Sequence, residues 1–220
     1  MTITLIFLAI IMATVIGWLL RQSLNTQPWV SDPAADAFSG ASLDTNSKTV
    51  GLTTFLAVAT SLFALFVSAY TIRMRVADWS PLAEPDLLWV NSAFLVLASV
   101  AYHWTRNQAL AGRANSLKTG LLAAGLLSIL FLAGQLAAWQ QLQAAGYYAS
   151  GNPANAFFYM LTAVHGLHML GGLYVWARSM RRAWTGADAD AVRLSIELCT
   201  IYWHFLLLVW VVLFGLLLTT

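Results

Sequence analysis

A handful of side chains holds the chemistry open to this sequence. His165 and His168 stand three residues apart in an apolar run, so a helix there projects both rings from roughly one face. Two histidines at that spacing can ligate one metal ion, and His204 in the next apolar run falls at a comparable depth as a third ligand. An intramembrane metal-dependent enzyme using His165, His168, His204 and Glu197 is therefore one reading. Such a site needs an activated nucleophile or acid beside the metal, and Glu197 stands about two turns from His204. The preferred reading has these histidines hydrogen-bonding between helices, with Gly166, Gly171 and Gly172 suited to close backbone packing.

Glu197 is the one carboxylate that falls inside a predicted span, roughly 7 to 8 Å from its end at 1.5 Å per residue. Arg193, at i−4, is the nearest candidate partner. The pair reads either as an interfacial ion pair, with Arg193 or with a group on a neighbouring helix, or as part of a proton or lipid-headgroup site. His204, seven residues on, extends one polar stripe along the same face. His103 beside Trp104 and Arg106 reads as an interfacial anchor, and Asn91 and Gln135 as inter-helix hydrogen-bond partners.

The elements that must position these groups follow from composition. The 220 residues are 60% hydrophobic and only 9% charged, with a mean hydropathy of +0.71. Such a chain is an all-α integral membrane protein, not a soluble enzyme. Six apolar runs, at about 3–20, 52–72, 86–102, 119–139, 156–180 and 192–218, each suffice to cross a bilayer core. They predict an N-terminal transmembrane helix over 1–21, a polar cytoplasmic loop over 22–50 and a five-helix bundle over 51–220. The first run lacks an amino-terminal positive charge and an A-x-A site, so it reads as an uncleaved span.

Charge sets the orientation. Nine of the eleven Lys and Arg flank alternate connections: Arg21 and Lys48; Arg106, Arg113 and Lys118; Arg178, Arg181, Arg182 and Arg193. That excess predicts a cytoplasmic side, leaving both termini outside, in the periplasm of a bacterial inner membrane. A net charge of +2 is too small for a nucleic-acid-binding surface. The single cysteine, Cys199, excludes an internal disulfide and a CxxC metal or haem-attachment motif.

Three patches resemble subunit III of the haem-copper oxidases. His165-Gly166-Leu167-His168 followed by Gly171-Gly172 is similar to that family's H-G-x-H signature. Glu197, four residues, then Tyr202-Trp203-His204-Phe205 and Val209-Trp210 resembles its E-x4-Y-W-H-F…V-W ending. Ala69-Tyr70, Asp78-Trp79 and the proline-rich stretch before Leu87-Leu88-Trp89-Val90-Asn91 resembles its loop between two spans. The resemblance covers about 52–218. It departs at Ala59, where the family commonly carries a glutamate, and at Leu207, where the motif has an aspartate.

The resemblance implies a non-catalytic subunit of a proton-pumping terminal oxidase in aerobic respiration, with cytochrome c as the preferred electron donor. It implies no cofactor in this chain, haem and copper in partner subunits, and bound phospholipid. The expected partners are subunit I as main contact, subunit II, a small subunit IV and membrane lipids. The expected role is to stabilise the catalytic core, hold phospholipid and support proton uptake, with Glu197, His165, His168, His204, Arg193, Tyr202 and Trp203 as the candidate polar site. Subunit III of a quinol oxidase and the accessory subunit of a nitric oxide reductase are the alternatives from the same superfamily.

Overall fold

The computed structural model of the chain describes residues 47–82, 85–186 and 189–219. The expected span at 1–21 and most of the loop at 22–50 lie outside the described residues. Five helices follow in order: α1 Ser47–Arg73, α2 Leu87–Leu110, α3 Ala114–Ala144, α4 Pro153–Trp184 and α5 Ala189–Leu218. All five are long and apolar enough to cross a membrane. No strand occurs among the described residues, as expected where the backbone must satisfy its own hydrogen bonds in lipid.

The helices outrun the apolar stretches that predicted them. The run at 86–102 belongs to a helix that continues to Leu110, and the runs at 119–139 and 156–180 belong to Ala114–Ala144 and Pro153–Trp184. Polar residues and Trp at the ends read as loops by hydropathy, yet they extend a helix into the interfacial layer, where amphipathic side chains reach water. The basic residues expected in connections therefore sit largely on helices: Lys48, Arg106, Lys118, Arg178, Arg181, Arg182 and Arg193 are all helical.

Local chemistry explains the ends. Asn152 caps α4, its side-chain oxygen accepting the Ala154 N–H at 3.0 Å, and Pro153 occupies the first helical position, where no N–H is needed. After α2, Gly112 adopts φ +67°, a left-handed conformation that stops the helix, and the Arg113 N–H turns back to the Gln108 carbonyl. Gly146 does the same after α3 at φ +88°, with the Tyr147 N–H on the Leu142 carbonyl.

α2 packs on α3 and α5, and α4 packs on α3 and α5, making a four-helix group; among the described helices, α1 rests on α4 and α5 alone. The core between them is aromatic, with Trp203, Trp210, Tyr102, Phe131 and Phe158 fully buried, and α1 adds Ala59, Phe63 and Tyr70 from its inner face. Between α2 and α5 the contacts step regularly: Arg106 to Glu197, Ser99 to His204, Ser92 to Trp210 and Trp89 to Phe214. Numbers fall on one helix as they rise on the other, so the two run antiparallel with the same faces in contact along their whole length.

Candidate functional site

The polar groups of the bundle divide into three sets. The innermost centres on His165, which is fully buried, with neither ring nitrogen meeting a hydrogen-bond partner among the described residues. Its ring is boxed by Trp210 at 5.3 Å, Phe131 at 5.8 Å and Phe63 at 6.5 Å between centroids. His168, one turn on, gives its Nδ1 to the Val164 carbonyl of its own helix at 2.8 Å and stacks obliquely on Phe63 and Phe55. The expectation that these two imidazoles hydrogen-bond between helices is thus corrected. Aromatic faces enclose His165, and the carbonyl of the preceding turn takes His168 before any neighbouring helix can.

Around this centre, four indole N–H groups bond across helix interfaces. Trp203 donates to Ser128 Oγ at 2.8 Å, Trp210 to Ser92 Oγ at 2.9 Å, Trp139 to Thr162 Oγ1 at 3.0 Å and Trp176 to the Leu121 carbonyl at 2.9 Å. A buried indole needs such an acceptor, and each hydroxyl supplies one while its own hydrogen goes to the carbonyl four residues back: Ala124 for Ser128, Leu88 for Ser92 and Phe158 for Thr162. Tyr202 adds a fifth link, its hydroxyl donating to the His168 carbonyl at 2.8 Å. Asn91 Nδ2 donates to Gln135 Oε1 at 3.3 Å, pairing the two amides across α2 and α3.

Close packing uses fewer of the expected glycines. A methyl group at Gly172 would meet the Tyr202 and Trp203 rings at 2.6 and 2.9 Å, but one at Gly171 would meet nothing within 4 Å, and one at Gly166 would make an ordinary contact with Leu132. Gly120, Gly125 and Gly134 of α3, which the sequence reading passed over, are the tight ones, pressed by Thr105, Trp176 and Asn91.

The second set lies between α2 and α5. Glu197 is paired with Arg106 of α2 at 3.0 Å, not with Arg193, each side chain being about one-third exposed. Because α2 continues to Leu110, Arg106 runs alongside the first turns of α5 instead of sitting in a loop. Arg193 points elsewhere, lining a cavity of about 300 Å³ with Lys118 and Trp184 between helix ends. Deeper on the same groove, Ser99 Oγ lies 2.6 Å from His204 Nδ1, and His204 stacks on His103 with centroids 5.8 Å apart. His204 therefore belongs with α2. The three histidines of the metal reading are not brought together, and no cluster of three or more His, Cys, Asp or Glu occurs among the described residues.

The third set closes the connection after α1. Arg73 holds the Asp78 carboxylate with both guanidinium nitrogens, one at 2.6 Å, and the hydrogen bond to Arg73 keeps that carboxyl below its ordinary pKa. Trp79 packs edge-on against Tyr70 at 4.9 Å, with Phe157 of α4 beside both. The Asp78-Trp79 patch thus ties α1 to the start of α4.

With this geometry in view, residues 3–218 match the sequence model of cytochrome c oxidase subunit III. The chain belongs to the cytochrome c oxidase subunit III family. Relatives include cytochrome c oxidase subunit 3 of Synechocystis sp., 32% identical over 177 residues that cover 74% of this chain and 72% of that protein. A probable cytochrome c oxidase subunit 3 of Mycobacterium leprae is 29% identical over 177 residues, covering 77% and 86%. Cytochrome bo(3) ubiquinol oxidase subunit 3 of Pseudomonas aeruginosa is 25% identical over 176 residues, covering 78% and 84%. The expected family is borne out, and the chain is a multi-pass membrane protein, a subunit III of the haem-copper oxidase type.

Within this subunit III, the family motifs acquire distinct physical roles. In the final motif, Tyr202 and Trp203 face inward to α4 and α3, while Glu197 and His204 face α2. Ser99, His103, Arg106 and Ser128 complete these contacts and were missed as partners. The signal available for them was a hydroxyl or a charge on an otherwise apolar helix. Ala59, where the family commonly has an acid, is buried on the inner face of α1 one turn from Phe63.

Proposed function

We propose that this chain is a non-catalytic subunit III of a proton-pumping terminal oxidase with cytochrome c as donor, bound to subunits I and II, with a small subunit IV, in a bacterial inner membrane. Haem and copper reside in those partners. Its part is to support the catalytic core, hold phospholipid and aid proton uptake during turnover, with both termini on the periplasmic side.

The observation that carries this reading is the Arg106–Glu197 pair, a carboxylate from the family's final motif kept partly open at the edge of the bundle. A pair whose only work is structural gains little from partial exposure. A carboxylate reachable from the interface can instead take up protons or hold a lipid headgroup. Glu197→Gln in the assembled oxidase is expected to leave complex yield unchanged while reducing bound phospholipid or hastening loss of activity during turnover. Wild-type lipid content together with wild-type activity decay would reduce Glu197 to a structural role.

A quinol oxidase is the second reading, favoured by the relative named as a ubiquinol oxidase subunit. The visible spectrum of the purified complex and its activity with reduced cytochrome c or with quinol separate the two.

A further inference from the structure

We propose that the cavity between the ends of α2, α3, α4 and α5 binds a phosphate-bearing anion, held between Lys118 of α3 and Arg193 of α5. This site is separate from the Arg106–Glu197 pair and does not rest on the oxidase reading above.

The two cations converge from different helices. Each lies four residues past the first residue of its helix, Ala114 for Lys118 and Ala189 for Arg193, so both stand one turn, about 6 Å, inside the end. They line one cavity of about 300 Å³, a volume at the lower end of small-ligand sites. The Lys118 ammonium is steadied there by the Trp184 ring of α4, 5.5 Å from its centroid, which is a cation–π distance. Arg73 and Arg106 have carboxylate partners in Asp78 and Glu197. Among the described residues, by contrast, no carboxylate lines this cavity, and neither Lys118 nor Arg193 forms an ion pair.

The surroundings strengthen that field. Leu117 and Val192, both buried, floor the cavity over Leu121 and Ile196, so the charges face a low-dielectric wall. A hollow lined by one sign of charge over such a wall concentrates counter-ions. Gly112 and Gly186, at φ +67° and +71°, border it where the chain turns, and a methyl group at either would meet nothing within 4 Å. The space beside both turns is open to a ligand.

Depth and donor chemistry select phosphate. α3 has 31 residues and α5 has 30, roughly 45 Å each at 1.5 Å per residue. A hydrocarbon core is about 30 Å thick, so roughly 8 Å of helix stands in the headgroup layer at each end. Lys118 and Arg193 fall within that layer, where lipid phosphates lie and where soluble phosphate arrives from the water. A guanidinium fork and an ammonium point charge are both phosphate ligands.

The test uses the full chain with its accompanying subunits in mild detergent. Native mass spectrometry counts phosphatidylglycerol retained against phosphatidylcholine, and equilibrium dialysis measures bound radiolabelled orthophosphate. Lys118→Gln combined with Arg193→Glu is expected to lower binding of phosphatidylglycerol or of orthophosphate several-fold. Arg193→Lys is expected to retain it, and Arg193 is exposed, so neither change at that position disturbs packing. Arg178→Gln with Arg181→Gln, exposed cations of α4 outside the cavity, is expected to change nothing. A loss confined to phosphatidylglycerol identifies a lipid headgroup as the ligand, and a loss of orthophosphate identifies a soluble one. A Lys118/Arg193 variant that matches wild type with both probes overturns the proposal, as does an equal loss from the Arg178/Arg181 variant, which would mean a diffuse cationic surface.

Discussion

Trp203 of α5 reaches 2.8 Å across the bundle to Ser128 of α3, and both residues are fully buried. The serine is the acceptor of that indole N–H, so the contact links α5 to α3 across the bundle. Ser128→Ala is expected to leave the indole N–H unpaired and to destabilise the bundle by roughly 0.5 to 2 kcal/mol, the range for a lost buried hydrogen bond in lipid or water. The midpoint of denaturant unfolding in detergent measures it, and an unchanged midpoint would contradict the role.

Adjacent glycines of α4 are expected to behave differently. Gly172→Ala puts a methyl group against the Tyr202 and Trp203 rings and is expected to cost about 1 to 3 kcal/mol through overpacking. Gly171→Ala meets open space and is expected to be neutral or slightly stabilising, since it removes a glycine from a helix interior. Thermal inactivation of the two variants side by side decides this, and equal losses would mean that the α4–α5 contact differs from the one described.

For His165, both ring nitrogens are unpartnered among the described residues, within an aromatic box. His165→Phe is therefore expected to preserve or raise stability, because it removes unsatisfied polar atoms while keeping the ring. His165→Ala is expected to cost roughly 3 kcal/mol, from the cavity rather than from an abandoned hydrogen-bond partner. Complex yield and melting temperature test both; a His165→Phe variant as damaged as His165→Ala would indicate a polar role for the imidazole.

The Arg73–Asp78 pair predicts a local dependence on pH. Asp78 has a folded pKa below its ordinary value of 3.8, with the hydrogen bond from Arg73 as the first cause. A depressed carboxyl stabilises above the unfolded pKa and loses that contribution as pH falls through the folded value. Hydrogen exchange in residues 74–80 is expected to be slow at neutral pH, to quicken relative to intrinsic rates only in the acid range, and to rise with salt because the pair is exposed. Asp78→Asn should abolish the pH response; a response that persisted would have another source.

Most of the architecture was legible in the sequence. Five of the six apolar runs correspond to helices, because a stretch of some 20 apolar residues has few alternatives in lipid. Their ends were not legible: His103, Trp104 and Arg106 read as a boundary, although the helix carries them on to Leu110. Partners suffered from the same limit. Spacing along one helix pointed Glu197 at Arg193, whereas the antiparallel packing of α2 against α5 brought Arg106 to it. Periodicity says which side chains share a helix face; it does not say which face of another helix arrives opposite. The amides Asn91 and Gln135 were recognised as inter-helix donors and acceptors and do meet, though nothing in their spacing named each as the other's partner.

The hydroxyls that accept the indoles have a consequence for biogenesis. Ser92, Ser128 and Thr162 each direct their hydrogen to a carbonyl of their own helix, so each segment can leave the insertion machinery with those hydroxyl hydrogens already satisfied. Ser92 and Ser128 emerge long before Trp210 and Trp203 are synthesised, and they can wait in lipid at little cost, holding a free lone pair. The burden of a late partner falls on α5, made after α2 and α3, which arrives to find its acceptors already in place on those helices.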